Sequence, residues 1–292
     1  MDTEILITGA TGTTGGHLTT ELKRKGTPFR ALVRTPGQAE ALHAAGVETV
    51  VGDLTKPETL RAALTGIKRA FLLTPGMPFH PESIVMAQNF AAEAKRAGVC
   101  HIVLQSVWGI SADADKPRLL RDHAKIRDAV EDAGIPLTLL RANFGMQSLA
   151  AQGMLATAEA EGVAASPLGE VGVGYVDLRD VAAVAAVCLT EDSHAGREYK
   201  LSGPEVLTLS GLASALGAVF ERDVQGIEPT QEQSLARLRS LGMPQDVIDE
   251  IGVLTAYNRT GALGDVSPNV QGVLGRAPTS FRRFVEDSRA GG

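Results

Sequence analysis

The 292-residue sequence is poor in the side chains that carry covalent and metal chemistry. It has two cysteines, Cys100 and Cys188, far apart and each in apolar surroundings. They read as two buried thiols, not as a disulfide framework. The six histidines are scattered, so no zinc-ligand spacing arises. Aromatic residues make up 4%, with one tryptophan, Trp108, and three tyrosines. No apolar run reaches the roughly 18 residues that a membrane span needs. Residues 1–8 carry two acids and a short apolar stretch, without the basic region and long apolar core of a secretory signal. Lys and Arg number 28 against 34 Asp and Glu, a net charge of -6, which argues against a nucleic-acid partner. These absences lead us to expect a cytoplasmic protein that binds neither membrane nor nucleic acid.

What is present is an ordinary globular composition, 44% hydrophobic and 21% charged. Strand-like and helix-like stretches alternate through the first half. Strands are expected at 4–8, 29–33, 48–51, 69–73, 101–105 and 137–141. Helices are expected at 16–25, 37–45, 57–64, 81–97 and 118–133, the last two stopped by Gly98 and Gly134. This alternation predicts βαβ units, and hence an α/β Rossmann-type doubly wound parallel sheet with ligands at the carboxyl ends of its strands. The second half is less regular. A long helix at 144–160, strands at 175–177 and 198–201, and helices at 180–189, 209–220, 231–241 and 279–288 are expected. With no clean linker, the domains are set at 1–150 for nucleotide binding and 151–292 for a smaller α/β substrate-side lobe, with about 171–200 returning to the sheet.

The strongest local signal is Gly9-Ala10-Thr11-Gly12-Thr13-Thr14-Gly15, directly after a strand and before a helix. Gly9 allows the tight turn, Gly12 lets a pyrophosphate approach the backbone, and Gly15 lets the helix pack closely. The helix start offers free N–H groups and the positive end of its dipole. Thr11, Thr13 and Thr14 complete the cradle. An NAD-binding unit ends its second strand with a carboxylate for the ribose 2′-OH. This strand ends in Arg34, whose guanidinium suits the 2′-phosphate of NADP(H), the alternative being a solvated arginine. Asp53, after the third strand, is placed to meet the adenine edge, with Leu54 beside the ring. Leu73, Thr74 and Pro75 end the fourth strand and should border the nicotinamide-side ribose.

Together with Leu32-Val33-Arg34, Gly52-Asp53-Leu54, the stretch Gly134-Ile135-Pro136-Leu137-Thr138 followed by Leu140-Arg141, Tyr175-Val176-Asp177, Arg179-Asp180-Val181 and the later Gly275-Arg276, Pro278 and Ser280-Phe281, the glycine loop is similar in order and spacing to the NmrA-like family of atypical short-chain dehydrogenases/reductases. The resemblance covers nearly the whole chain. It implies NADP(H) as cofactor. It does not name one activity, because the family includes quinone and azo-dye reductases, isoflavone-reductase-like enzymes and nucleotide-binding regulators.

Typical short-chain dehydrogenases use Tyr-x-x-x-Lys, in which the lysine lowers the phenol pKa. Four residues after Tyr175, Tyr199 and Tyr257 stand Arg179, Gly203 and Gly261. The resemblance points instead to His123, which stands where isoflavone-reductase-like enzymes carry a catalytic lysine, and to Ser106, where the superfamily places an active-site serine. His123 would protonate or hydrogen-bond a carbonyl-type oxygen, or orient the nicotinamide ribose. The alternatives are a helix-surface histidine and a strand-end capping serine. Lys125, two residues on, faces elsewhere. Asn143 and Phe144 resemble the family segment that borders nicotinamide and substrate. Trp108 either lines a pocket for a flat substrate or packs against the lobe. Arg141 reads as a structural ion pair, and Arg179-Asp180 as an internal one. The expected function is NADPH-dependent hydride transfer to a small planar conjugated acceptor, a quinone or enone. The alternatives are a non-catalytic redox sensor and a cofactor-assisted epimerase, dehydratase or lyase. A homodimer is the default oligomeric expectation.

Overall fold

The computed structural model describes residues 3–74 and 80–291. In chain order the elements are β1 (Ile5–Thr8), α1 (Thr13–Arg24), β2 (Arg30–Val33), α2 (Pro36–Ala44), β3 (Glu48–Val51), α3 (Pro57–Leu64), β4 (Arg69–Leu72), α4 (Ser83–Ala97), β5 (His101–Val107), α5 (Arg118–Asp132) and β6 (Leu137–Ala142). There follow α6 (Met146–Ala151), α7 (Met154–Glu161), β7 (Val163–Ala165), α8 (Leu178–Thr190), β8 (Glu198–Leu201), α9 (Leu209–Phe220), β9 (Gln225–Ile227), α10 (Gln231–Ser240), α11 (Gln245–Tyr257), α12 (Asn269–Leu274) and α13 (Phe281–Arg289).

Seven strands form one sheet in the order β3-β2-β1-β4-β5-β6-β8, and the pairings from β3 across to β5 are parallel. The chain winds outward from β1 to β3, then returns beside β1 as β4 and winds the other way. That reversal puts a switch point at the carboxyl ends of β1 and β4, where a doubly wound sheet opens a ligand crevice. The inner strands are short apolar runs because helices cover both faces: Ile5, Leu6, Ile7 and Thr8 of β1 are all buried, whereas the edge strand β3 is exposed or half-buried throughout. One face packs Leu6, Leu32, Leu72, Ile102 and Leu104 against Leu60 of α3, Phe90 of α4, and Ile126 and Val130 of α5. Truncating Phe90, which is fully buried, would cost about 3–5 kcal/mol.

The chain divides into two compact units. The first comprises residues up to Ala114, Leu120–Arg141 and Val181–Tyr199, and holds most of the sheet. The second comprises Asp115–Leu119, Ala142–Asp180 and the residues from Lys200 on. Its core gathers Met146, Leu149, Tyr175, Leu212, Leu216, Phe281 and Phe284 around α9.

Four expectations need correction. The helix expected at 144–160 is two, α6 and α7, because Gly153 between them has φ +88, outside helical geometry. The strand expected at 175–177 is absent; Val176 makes one isolated bridge, to Gly145. Cys188 is buried but Cys100 is exposed. Arg179 and Asp180 do not pair with each other. Arg179 binds Asp177 (2.6 Å) and Asp287 (2.8 Å), whereas buried Asp180 accepts from Arg276 (2.7 Å) and from the Thr279 amide (2.6 Å), all within the second unit.

Candidate functional site

The Thr8 hydroxyl at the end of β1 accepts from the Leu73 amide at 2.8 Å, which ties β1 to the chain leaving β4. Gly9 follows with φ +69, a left-handed conformation that glycine takes without penalty. The Gly12 amide donates back to the Gly9 carbonyl at 2.9 Å and closes the turn. A Cβ on Gly15 would stand 2.0 Å from the Gly9 carbonyl oxygen, so no side chain fits there. The helix α1 thus starts hard against the end of β1. Its N-cap is Gly12, with no side-chain cap and no acidic residue in the first turn. Thr11, Gly12 and Thr13 are exposed, while Thr14 and Gly15 are buried beneath them. Among the described residues no side chain caps the first amides of α1, which leaves them for a bound anion.

Arg34 follows β2, exposed. Its backbone amide donates to the Gln38 side chain at 3.0 Å, and Thr35 caps α2 through a reciprocal capping box with Gln38. This pins the backbone that carries the guanidinium. No carboxylate stands at the end of β2, so a phosphoryl group there would meet positive charge. The residues present fit NADP(H) on both counts: amides at α1 for the pyrophosphate and a guanidinium at β2 for the 2′-phosphate.

Beyond β3, a Cβ on Gly52 would press 2.9 Å from Leu32 Cδ1 and 3.3 Å from the Thr59 carbonyl oxygen, so a side chain there would make the leucine end move. Asp53 Oδ1 accepts from the Thr55 amide (2.9 Å) and hydroxyl (2.8 Å). Those bonds, the backbone one first, hold its carboxyl below the usual range against a smaller opposing effect of burial, with Lys56 and Arg34 adding attraction. Leu54 packs on the core, and its carbonyl accepts from Asn89 at 3.0 Å. Leu73 lies against Gly9, Thr74 is buried, and Pro75 falls outside the described residues.

Two of the expected residues meet directly. Ser106, buried near the end of β5, places its Oγ 3.2 Å from Nδ1 of His123 on α5. His123 is 6% exposed, so it is not a helix-surface residue. Burial pushes its pKa down to about 4, so the ring is neutral near pH 7. When Ser106 donates to Nδ1, the proton of the neutral ring sits on Nε2, which has no partner among the described residues. Lys125 is exposed and stands 3.9 Å from Asp122. Trp108 is buried, and its carbonyl accepts from Arg141 Nε at 2.9 Å. Arg141 also pairs with Glu198 at 2.6 Å, the structural ion pair expected of it.

Asn143 and Phe144 belong to the second unit. Asn143 donates to the Leu263 carbonyl at 3.1 Å and accepts from the Phe144 amide at 2.7 Å, so both ends of its amide are engaged there. Phe144 meets Tyr175 edge-on at 5.8 Å. Burial drives the Tyr175 phenol pKa upward, away from proton-transfer chemistry.

Two features escaped sequence reasoning. On β5, His101 Nε2 lies 2.8 Å from Thr138 Oγ1, which donates to the His194 carbonyl at 2.6 Å; this needs the Nε2–H tautomer of His101. Burial and the nearby Arg69 lower the His101 pKa to about 4. The other is Gln105, next to Ser106 on β5, whose amide oxygen is buried without a hydrogen-bond partner among the described residues. Among the described residues no group of His, Cys, Asp and Glu could hold a metal, and no helix is long and apolar enough to cross a membrane.

A chain with this sheet order and glycine crossing is a dinucleotide-binding protein of the doubly wound class. More narrowly, it belongs to the NmrA-like family, whose model matches residues 1–282. It is 36% identical to an NAD(P)H azoreductase from Xenophilus azovorans, over 97% of this chain and 96% of that one. Among solved structures it resembles the NADPH-dependent quinone oxidoreductase 2 of Escherichia coli complexed with NADPH, with a TM-score of 0.85, 28% identity, and 98% and 99% of the two chains covered. The Citrobacter triphenylmethane reductase complexed with NADP(H) superposes with a TM-score of 0.86 at 25% identity, over 98% and 99% of the chains.

Proposed function

We propose that this protein is an NADPH-dependent oxidoreductase that delivers hydride to a small planar conjugated acceptor of the quinone or enone type. The observation that carries the reading is the cradle at β1–α1, closed on the β2 side by Arg34 where an NAD site would carry an acid. Support comes from relatives of nearly equal length that are named as reductases of quinones, azo compounds and triphenylmethane dyes.

The amides of Thr13 and Thr14 would hold the pyrophosphate, which Gly12 lets approach the backbone, and Arg34 would hold the 2′-phosphate. Asp53 and Leu54 would border the adenine. Within the first unit, Leu73, Thr74 and Ser106 would border the nicotinamide half, with Trp108 beside the substrate. Bound NADPH supplies a hydride. The residues supply position, exclusion of water, and a donor to the oxygen on which negative charge develops. His123 takes the donor role through Nε2–H, and Ser106 fixes the tautomer from the Nδ1 side. A quinone accepts hydride readily, so a neutral imidazole suffices where the Tyr-x-x-x-Lys pair is missing. We place the protein in the cytoplasm, acting as a homodimer on a small molecule.

The test is loss of NADPH absorbance with a panel of quinones, enones and azo dyes. We expect turnover with at least one quinone and a strong preference for NADPH over NADH. Tight NADPH binding with no oxidation by any acceptor would leave the redox-sensor reading in its place.

A further inference from the structure

Gln105 lies next to Ser106 on β5, yet its environment differs. Its amide oxygen Oε1 is buried and has no hydrogen-bond partner among the described residues. A buried carbonyl-type oxygen without a donor is costly, and folded proteins rarely leave one unless something outside the chain supplies the partner. The one comparable atom among the described residues is Arg121 Nε on α5, a helix that packs on the other face of the sheet.

The strand register says where Gln105 points. Leu72 of β4 pairs with Leu104 of β5 in a parallel ladder, so the next residues, Leu73 and Gln105, lie side by side and share a face. Leu73 is the side chain against Gly9, 3.3 Å from where a Cβ of Gly9 would stand. Gln105 therefore lies on the glycine-loop face, one strand beyond β4, while Ser106 turns the other way toward His123. The order β2-β1-β4-β5 sets out the ends of a dinucleotide. With its 2′-phosphate at Arg34 and its pyrophosphate over β1, its nicotinamide half runs toward β4 and β5.

We propose that Gln105 recognises the carboxamide of the nicotinamide ring, amide to amide, and so sets the rotation of that ring. A side-chain amide offers one acceptor and a pair of donors, and a primary carboxamide is the complementary group; a phosphate or a carboxylate is not. The inference rests on the NADP(H) reading above and adds to it a residue that orients the cofactor without touching the acceptor.

The test is equilibrium binding of three probes to the full chain and to Gln105→Leu: adenosine 2′,5′-bisphosphate, NADP+ and the acetylpyridine analogue of NADP+, in which a methyl group replaces the carboxamide NH2. We expect the wild type to bind NADP+ about tenfold more tightly than the analogue, and Gln105→Leu to bind the two alike. The bisphosphate, which lacks the nicotinamide half, should bind both proteins equally and so report an intact fold. Equal binding of NADP+ and analogue by the wild type would overturn the inference even if the leucine variant failed to fold. A tenfold ratio that persists in the variant would overturn it too. Failure of the wild type to bind the bisphosphate would instead sink the NADP(H) reading beneath it.

Discussion

Two neutral histidines inside the first unit make its stability depend on pH in a window where few other groups titrate. Burial lowers His123 from 6.5 to about 4, and burial with the Arg69 charge lowers His101 by the same amount. In the unfolded chain both return to about 6.5. The folded pKa lies below the unfolded one, so the stability is fully present above pH 6.5 and is lost as pH falls toward 4. Each histidine forfeits about 3 kcal/mol over the whole window and about 2 kcal/mol by pH 5. Together they should remove about 4 kcal/mol between pH 7 and pH 5, a large share of a typical folding free energy. Ordinary carboxylates titrate mainly below pH 5, so they contribute little in this interval. The assay is urea unfolding followed by fluorescence of Trp108, the sole tryptophan, which is buried in the same unit. The quantity compared is the change in unfolding free energy between the two pH values, not its absolute size. His123→Gln should remove about half of that change, and the double variant with His101→Gln nearly all of it. A wild type that loses less than about 1 kcal/mol, or a double variant with an undiminished pH slope, would refute the view that these rings are held neutral by burial.

Arg34→Ala should weaken NADPH binding about 10- to 100-fold and leave NADH binding nearly unchanged, as titration calorimetry would show, because only the 2′-phosphate loses a charge-assisted contact. Gly15→Ala puts a Cβ 2.0 Å from the Gly9 carbonyl oxygen, so α1 must shift; we expect about 1–3 kcal/mol of destabilisation and loss of measurable dinucleotide affinity. His123→Ala should lower kcat with a quinone about 100-fold, and Ser106→Ala about tenfold through loss of the tautomer, with NADPH affinity little changed in either. The wild-type kcat should be flat from pH 6 to 8, since neither ring state nor partner changes there; a bell centred on the ordinary histidine value would contradict a neutral donor. Asp180→Ala leaves the Thr279 amide without its acceptor and half-exposed Arg276 without its partner, and should cost about 1–3 kcal/mol in thermal or chemical unfolding of the second unit.

The first unit was legible because its inner strands are buried on both faces and so read as apolar runs, and because Gly98 and Gly134 end helices at positive φ. The glycine crossing was legible for the same reason: backbone geometry, not side-chain packing, decides those residues. The second unit was harder. Strands β7 and β9 are three residues each, Val-Ala-Ala and Gln-Gly-Ile, too short to alternate, and they pair only because the fold brings them together. The Arg179–Asp180 expectation failed because neighbours on a helix point in different directions, and each found a partner far along the chain. His123 is the instructive case. On α5 it falls in the stripe Leu120, His123, Ala124 and Val130, the buried face of an amphipathic helix, so its burial was written in the 3.6-residue period. On β5, Ser106 alternates with Leu104 onto the face that α5 covers. The meeting of hydroxyl and imidazole thus follows from two periodicities read together, one on each element. Whether an acceptor is held at Nε2 depends instead on residues that neither period reaches, and there local pattern gives way to tertiary structure.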